Sequence, residues 1–296
     1  MDFSPKFYTW KNQRCAYECH LSPNAERPLL LIHPIGVGLS RRFWHPFIEA
    51  WLPEGHCSVY NPDLLGCGDS AMPPVAYTPE DWAEQLQYFW QTVIQTPAIV
   101  VVQGALLPVA IALVQRQPDL AQGLVLAGPP AWNVMTKSGT SWKQRLAWNL
   151  FFSGAIGSVF YRYARRRQFL ADFSKRQLFE QAQDVDERWL DTLEAGATDL
   201  KSRYAVFSFL AGFWRRNYAQ DMSAITQPTL VVVGEEASSI SRSGQSESPK
   251  QRIDRYLQHF PHAQARQISG RNVLPYESTA EFVSVVAKFI DDTDRF

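Results

Sequence analysis

The sequence has few of the features that mark specialised classes of protein. Its 296 residues include 4 cysteines, and 29 basic side chains balance 29 acidic ones. No two cysteines have C-x-x-C spacing and no cysteine and histidine cluster has metal-ligand spacing, so we expect reduced thiols and neither metal nor other cofactor. A neutral chain without a nucleic-acid-binding module is a poor candidate for binding DNA or RNA, so we expect no nucleic-acid partner.

Long apolar runs and internal repeats are also absent from the sequence. No stretch is long enough for a transmembrane helix, and the chain does not begin with a charged and then apolar leader. These absences predict a protein of the cytoplasm or a comparable compartment. The apolar content of 46% is ample for a core, and the length suits one large domain with an inserted subdomain.

The order of periodic segments predicts a mostly parallel sheet of about eight strands flanked by helices. The predicted strands are residues 7–10, 14–21, 29–33, 58–62, 99–102, 123–127, 229–234 and 265–269. The alternation of strands and helices breaks after the sixth strand, over a stretch too long for a loop and too helical for a linker. We therefore predict an α/β core formed by residues 1–131 and 222–296, and a helical cap segment formed by residues 132–221.

Residues 99–108, Ile-Val-Val-Val-Gln-Gly-Ala-Leu-Leu-Pro, predict a buried strand, a tight turn and a helix. In the nucleophile elbow G-x-S-x-G, such a turn holds a serine at the top of a sheet. On that pattern Gln103 and Leu107 take the two glycine positions, and Ala105 takes the serine position. A methyl group cannot attack a carbonyl carbon, and the neighbouring Gly104 has no side chain either. The sequence therefore predicts an elbow without a nucleophile.

Other motifs resemble those of the α/β-hydrolase family over nearly the whole chain. Residues 29–36, Leu-Leu-Leu-Ile-His-Pro-Ile-Gly, resemble its first central strand and His-Gly turn, with Pro34 in place of the glycine. Residues 63–70 match its structural loop D-x-x-G-x-G-x-S, which is the most specific match. Residues 268–277 resemble its G-H-x-x-x-x-E segment, with Glu277 in the usual place. The resemblance implies the α/β-hydrolase fold with a helical cap.

The resemblance also implies where a Ser-Asp-His triad would stand, and the chain lacks all three residues. The acid position, G-x-x-D in the family, is Ala237, and the histidine position is Asn272. With Ala105 at the serine position, the attacking group, the base and the acid that orients the base are lost together. The backbone amides of Ile35 and Leu106 correspond to the oxyanion hole. We therefore expect a catalytically inactive relative of the hydrolases.

Loss of the triad makes the former catalytic floor apolar, which favours binding of an apolar small molecule or lipid between core and cap. The family is known to include non-catalytic members, among them a plant hormone receptor and cell-adhesion proteins, so a protein partner bound through the cap is also open. The candidate pocket residues are His33, Pro34, Ile35, Ala105, Leu106, Leu107, Ala237 and Asn272. Residues 33–36 and 104–108 resemble a cyanobacterial and plastid branch, which suggests pigment or lipid ligands.

An alternative hypothesis is an esterase-like hydrolase with a displaced active site. Cys67 and Ser70 follow a strand at the edge of the sheet where catalytic groups of such folds lie, and His33 is the histidine nearest that edge. The sequence shows no evident base beside either nucleophile, so all three residues are better explained as turn residues. Ester turnover that disappears on Cys67→Ala or Ser70→Ala would support the hydrolase hypothesis.

The cap segment contains a basic and aromatic stretch. Residues 132–170 hold seven Lys and Arg side chains and no Asp or Glu, with tryptophan, phenylalanine and tyrosine interleaved. Basic residues beside an aromatic face are typical of a helix at an anionic membrane interface. A cap that covers an apolar pocket with solvated arginines outside explains the same pattern. The candidates for a membrane or partner surface are Trp142, Trp148, Arg162, Arg165, Arg166 and Arg167.

Overall fold

The computed structural model of the protein describes residues 1–22, 27–54 and 57–293. Within these ranges lies an eight-stranded, mostly parallel sheet, which confirms the predicted fold class. The strands are β1 (Lys6–Trp10), β2 (Gln13–His20), β3 (Leu29–Ile32), β4 (Val59–Pro62), β5 (Ala98–Gln103), β6 (Ala121–Ala127), β7 (Thr229–Gly234) and β8 (Ala263–Ile268). Their order across the sheet is β1-β2-β4-β3-β5-β6-β7-β8.

The first two strands form an antiparallel hairpin at one edge of the sheet. Lys11 and Asn12 both adopt positive φ, of 46° and 60°, as a tight two-residue hairpin turn requires. β2 also pairs antiparallel with β4, whereas every pair from β4 to β8 is parallel. Because parallel neighbours need long crossover connections, helices cover both faces of this part of the sheet.

The helices before the cap segment are α1 (His45–Trp51), α2 (Pro79–Phe89) and α3 (Leu107–Arg116). The cap segment holds α4 (Trp132–Thr136), α5 (Ser141–Ala147), α6 (Ala155–Ala164), α7 (Arg167–Phe173), α8 (Glu187–Gly196), α9 (Arg203–Ala211) and α10 (Ala219–Ser223). After β7 come α11 (Pro249–His259), α12 (Leu274–Glu277) and α13 (Thr279–Thr293). Among the described residues, no helix has the length and apolar character needed to cross a bilayer.

The side chains of each central strand alternate between two apolar cores, one on each face of the sheet. Leu30 and Val100 point to the core shared with α2 and α3, whereas Leu31 and Val101 point to the core shared with α1 and α13. β3 and β5 are buried along their whole length because helices lie on both sides. This burial explains why their sequences are continuous apolar runs rather than alternating ones.

A buried polar cluster fixes the loop that follows β4. The guanidinium of Arg41, which is 1% exposed, donates from Nε to Glu18 Oε1 at 2.7 Å and from Nη2 to Asp69 Oδ2 at 2.8 Å, and Nη1 donates to Asp63. Burial opposes ionisation, but the charges of Asp63 and Glu18 raise the pKa of Arg41. Gly68 has φ 57°, and a Cβ there would collide with the Asp63 carboxylate, so this position needs glycine. The loop is therefore held by the ion pairs that Asp63 and Asp69 form with Arg41.

Candidate functional site

The turn between β5 and α3 has the shape of a nucleophile elbow. Gly104 is its left-handed residue, with φ 60°, and Ala105 follows in a short helical turn, Gly104–Leu106. The sharp turn is therefore centred on Gly104. The position predicted from the sequence is Ala105, one residue later. An alanine avoids positive φ, whereas glycine adopts it without steric cost. The next backbone amide along the chain then belongs to Ala105 rather than to Leu106, which corrects the predicted oxyanion-hole residue.

A cavity of about 360 Å³ lies above this turn. Four of the predicted pocket residues line it, namely Pro34, Ile35, Ala105 and Asn272. The other four, His33, Leu106, Leu107 and Ala237, are not part of its lining. Leu106 and Leu107 instead pack in the apolar core beneath the elbow. The cavity is therefore lined at its floor by four of the eight predicted residues, and the other four lie outside its lining.

The remaining walls come from parts of the chain that sequence motifs do not mark. α9 and the residues after it contribute Phe209, Leu210, Trp214 and Arg215, and the loop after β7 contributes residues 238–241. Leu210 and Ile240 are each 53% exposed, so they lie at the opening of the cavity. No local pattern in the sequence indicates these contacts, because they join the cap segment to a loop of the core.

The residue at the predicted histidine position, Asn272, has a structural role. Its Nδ2 donates to Gln177 O at 2.7 Å, and its backbone amide donates to Leu178 O at 3.1 Å. Its own carbonyl accepts a hydrogen bond from Gln103 Nε2 at 2.7 Å. Asn272 thus ties the cap segment to the last residue of β5, and a carboxamide cannot take a proton as a histidine does.

The loop at the predicted acid position offers no carboxylate to the cavity. Ala237 is buried, and Glu235 and Glu236 are exposed residues outside the cavity lining. Glu277 instead accepts hydrogen bonds from the backbone amides of Arg271 and Glu180. Burial raises the pKa of Glu277 despite these hydrogen bonds. Its carboxylate therefore braces the loop that carries Asn272.

The three residues of the displaced-site hypothesis are all engaged in the fold. His33 accepts from Leu64 N at Nε2, 3.2 Å away, so its Nδ1 carries the proton and donates to Pro34 O at 2.8 Å. Burial lowers the pKa of His33 and raises the pKa of Cys67. Ser70 Oγ donates to Asp63 O and accepts from a backbone amide of β2, each at 2.9 Å. None of the three lines the cavity.

Two of the predicted surface arginines are held inside the cap segment. Arg167 forms ion pairs with three carboxylates of α8, those of Glu187, Asp191 and Glu194. Arg165 Nη1 donates to the carbonyls of residues 197 and 198 at 3.2 and 2.9 Å. The ring of Trp148 is half-buried and packs on aromatic rings of the same segment. Arg165, Arg167 and Trp148 are therefore partly engaged in contacts within the cap segment.

The other three predicted surface residues remain available. Trp142, Arg162 and Arg166 are exposed on α5, on α6 and directly after α6. They differ from Arg167, which pairs with acidic side chains of α8, and from Arg165, which donates to backbone carbonyls after α8. The sequence showed the basic stretch, but the acidic partners of Arg167 lie about twenty residues further along the chain and are brought back by the fold.

The sheet, the sharp turn after its fifth strand and the helical segment between β6 and β7 define an α/β protein of the hydrolase type. The chain belongs to the alpha/beta hydrolase family, whose model matches residues 29–285. No curated protein matches the sequence. The assignment to the family therefore rests on the match of its model over residues 29–285 rather than on one close relative.

Solved structures agree with this assignment at the level of the fold. A thermophilic esterase from Thermogutta terrifontis with malate bound is 17% identical with a TM-score of 0.73, over 98% of this chain and 99% of that one. A serine hydrolase involved in carbazole degradation is 17% identical with a TM-score of 0.74, over 97% and 98%. An enol-lactonase from Burkholderia xenovorans is 15% identical with a TM-score of 0.70, over 97% and 100%. At such identities the likeness shows the fold alone.

Proposed function

We propose that this protein is a non-catalytic α/β-hydrolase that binds an apolar small molecule or lipid in the cavity above the elbow. The observation that carries the proposal is the left-handed φ of 60° at Gly104. In a nucleophile elbow the strained residue is the one whose side chain attacks the substrate. Gly104 takes that position in this chain and has no side chain, so the serine position moves from Ala105 to Gly104 without restoring a nucleophile.

The other two triad positions support the same conclusion. Ala237 has no acid group, and the amide of Asn272 is committed to the carbonyl of Gln177. Without a base, a water molecule in the cavity has no group to take its proton, and the amides of Ile35 and Ala105 alone supply at most an oxyanion site. The positions that hold the triad in related hydrolases therefore have no group that can transfer a proton in this chain.

The cavity has the size and the walls of a ligand site. Small-molecule pockets commonly enclose about 300–1,000 Å³ and are lined mainly by apolar side chains. Here Gly104 and Ala105 leave room at the floor, and Phe209, Leu210 and Trp214 supply an apolar wall. A ligand that buries apolar surface against this wall gains roughly 25 cal/mol for each Å² removed from water. Lipids and pigments, suggested by the resemblance to a cyanobacterial and plastid branch, have that character.

Native mass spectrometry of protein purified without detergent tests the proposal. We expect a stoichiometric apolar molecule that is released on denaturation. Ala105→Phe should fill the floor of the cavity and remove the ligand, whereas Ala195→Phe on the exposed face of α8 should retain it. Circular dichroism checks that both variants fold. An empty wild-type protein, or a ligand retained equally by both variants, would contradict the proposal.

The displaced-site hydrolase remains the alternative, with weaker support. Its residues His33, Cys67 and Ser70 are buried and engaged in structural contacts. We expect ester turnover by the purified protein at the level of a buffer blank. Turnover above that level which disappears on Cys67→Ala or Ser70→Ala would favour the alternative over the binding function.

A further inference from the structure

The outer face of the cap segment is unusually apolar. Of the sixteen exposed large apolar side chains among the described residues, eight lie between residues 142 and 163, and each of them is 46–67% exposed. They are Trp142, Leu146, Leu150, Phe151, Ile156, Val159, Phe160 and Tyr163. We call this set the outer apolar face. Single exposed apolar residues are normal on a protein surface, but a group of eight on consecutive helical turns marks an interaction surface.

The outer apolar face is not an unpacked inner face. On α6 the residues Gly157, Tyr161 and Ala164 are buried, and Tyr161 Oη is 2.7 Å from Ser202 Oγ. A Cβ on Gly157 would collide with the carbonyl of Phe152, so α6 lies tightly against the turn that precedes it. The exposed positions 156, 159, 160 and 163 form a second stripe at helical spacing on the other side of α6. The helix thus has a complete inner contact and a separate outward stripe.

The segment that carries this face has charges of one sign. Lys137, Lys143, Arg145, Arg162 and Arg166 are exposed, and none of them forms an ion pair within the described chain. Residues 132–170 contain no Asp or Glu that could compensate them. Lys143 Nζ lies 5.6 Å from the centre of the Trp142 ring, and the Arg166 guanidinium lies 5.5 Å from that of Tyr163. Aromatic side chains interleaved with unpaired cations match the polar boundary of an anionic bilayer.

We propose that the outer apolar face and its five cations dock on an anionic lipid bilayer. The apolar side chains enter the headgroup boundary, and the basic side chains contact lipid phosphates. A second copy of this chain is a poor occupant, because a two-fold contact through this face would bring identical basic patches together. An anionic bilayer supplies an apolar environment for the exposed apolar side chains and negative charge for the unpaired basic residues.

The docking surface adjoins the opening of the cavity. Gln144 Nε2 donates to Gly212 O at 2.6 Å, and Gly139 N donates to Arg215 O at 3.1 Å. These bonds fix α5 beside Leu210 and Arg215, which line the cavity. A docked protein would therefore exchange an apolar ligand with the bilayer over a short distance. This exchange rests on the proposed function, whereas docking itself does not.

Vesicle co-sedimentation of the full chain tests the docking. We expect binding to vesicles of equimolar phosphatidylcholine and phosphatidylglycerol, little binding to phosphatidylcholine alone, and weakening by salt. Each basic residue near an anionic surface contributes about fivefold in affinity. Arg145→Gln/Arg162→Gln/Arg166→Gln should therefore bind roughly a hundredfold more weakly. Ile156→Ser/Val159→Ser should weaken binding even at low salt, because it removes the apolar contact.

A matched control changes the same residue types elsewhere. Arg255 and Leu257 are exposed on α11, so Arg255→Gln/Leu257→Ser should bind as the wild type does. The fluorescence of Trp142 should shift to shorter wavelength on binding, and Trp142→Phe should remove that shift. Unchanged binding by Ala105→Phe would show that docking is independent of the cavity, so the two proposals can fail separately.

Two results would overturn the docking proposal. The first is a wild-type protein that does not sediment with the anionic vesicles, or whose binding is the same in the patch variants and the control. The second is a wild-type dimer that Ile156→Ser/Val159→Ser converts to a monomer without any effect on vesicles, which would assign the face to a second copy of the chain.

Discussion

The loops after β4 and β5 leave the same edge of the sheet but differ in chemistry. The loop after β4, residues 63–70, keeps its motif and is held by buried charges around Arg41. The loop after β5 keeps only its shape, with Gly104 at the sharp turn and Ala105 beside it. One loop is thus held by buried polar groups, whereas the sharp turn of the other is formed by small residues.

The difference shows which polar groups the fold itself needs. Glu18, Asp63 and Arg41 are buried together, so removing Arg41 leaves two buried carboxylates without their partner. Triad residues are coupled through the reaction rather than through folding, and small residues can take their places without leaving a buried charge behind. The polar cluster is therefore a condition of the structure, whereas the triad is a condition of catalysis alone.

Replacement of Arg41 should show the largest effect. Arg41→Met leaves the carboxylates of Glu18 and Asp63 buried without their partner, and we expect a loss of about 3–5 kcal/mol in the free energy of unfolding. Arg188→Met removes an exposed pair with Glu49 and should cost less than about 1 kcal/mol. Urea unfolding followed by circular dichroism measures both. Equal losses would show that burial does not distinguish the two pairs.

Removal of the Glu18 charge should have a smaller effect that depends on pH. Burial opposes ionisation of Glu18, but hydrogen bonds and charges of His45 and Arg41 keep its pKa below the usual value. The stabilisation is therefore present above the unfolded pKa and is lost as pH falls through the folded one. At pH 7 we expect Glu18→Gln to cost about 1.5–3 kcal/mol in unfolding free energy.

The difference between wild type and Glu18→Gln should shrink as the solution is acidified. Glu84→Gln is the matched control, because Glu84 forms an exposed pair with Lys11 at 2.8 Å. It should change the unfolding free energy little at any pH. A cost of Glu18→Gln that stays constant from neutral to acid pH would show that its charge is not what stabilises the cluster.

Substitutions at Gly104 and Ala105 in the elbow should differ by a smaller amount in the free energy of unfolding. Gly104→Ala places a Cβ on a left-handed residue and should lower the free energy of unfolding by about 1–2 kcal/mol. Steric contact adds little, since the nearest atom to such a Cβ is Gly128 O at 3.9 Å. Ala105→Ser should cost no more than about 0.5 kcal/mol. Equal costs for the two variants in the same urea titration would contradict a left-handed backbone at Gly104.

The smallest expected effect is at Asn272, the predicted histidine position. Asn272→Ala removes the hydrogen bond to Gln177 O and should cost about 1 kcal/mol in thermal or urea unfolding. Asn133→Ala, at an exposed position, should change the unfolding free energy by less than about 0.5 kcal/mol. If the two variants are equally stable, Asn272 is not the link between cap segment and core that the geometry indicates.

Much of the fold could be predicted from local patterns in the sequence. β7 has the bounds predicted for it, and the other strands agree within a few residues. Thr78 and Asp81 form the capping box that begins α2, as their spacing indicates. Such features depend on near neighbours in the chain, which a sequence shows directly.

The elbow register could not be predicted in the same way. The family pattern is aligned by its glycines, and here Gln103 and Leu107 occupy those positions on one alignment and leave Gly104 unexplained. The backbone settles the choice, because only Gly104 in this turn has positive φ. In this turn Leu106 and Leu107 are buried, so they do not line the predicted pocket.

The sequence by itself determined the mostly parallel sheet and the helical segment between β6 and β7, and it predicted Ala105, Ala237 and Asn272 at the triad positions. These follow from hydrophobic periodicity and from residue identity. Tertiary structure decided which residues meet. It brought the loop after β7 and α9 to one cavity, paired Arg167 with the acidic residues of α8 and left Arg162 and Arg166 exposed. These outcomes depend on contacts between distant segments, which chain order alone does not specify.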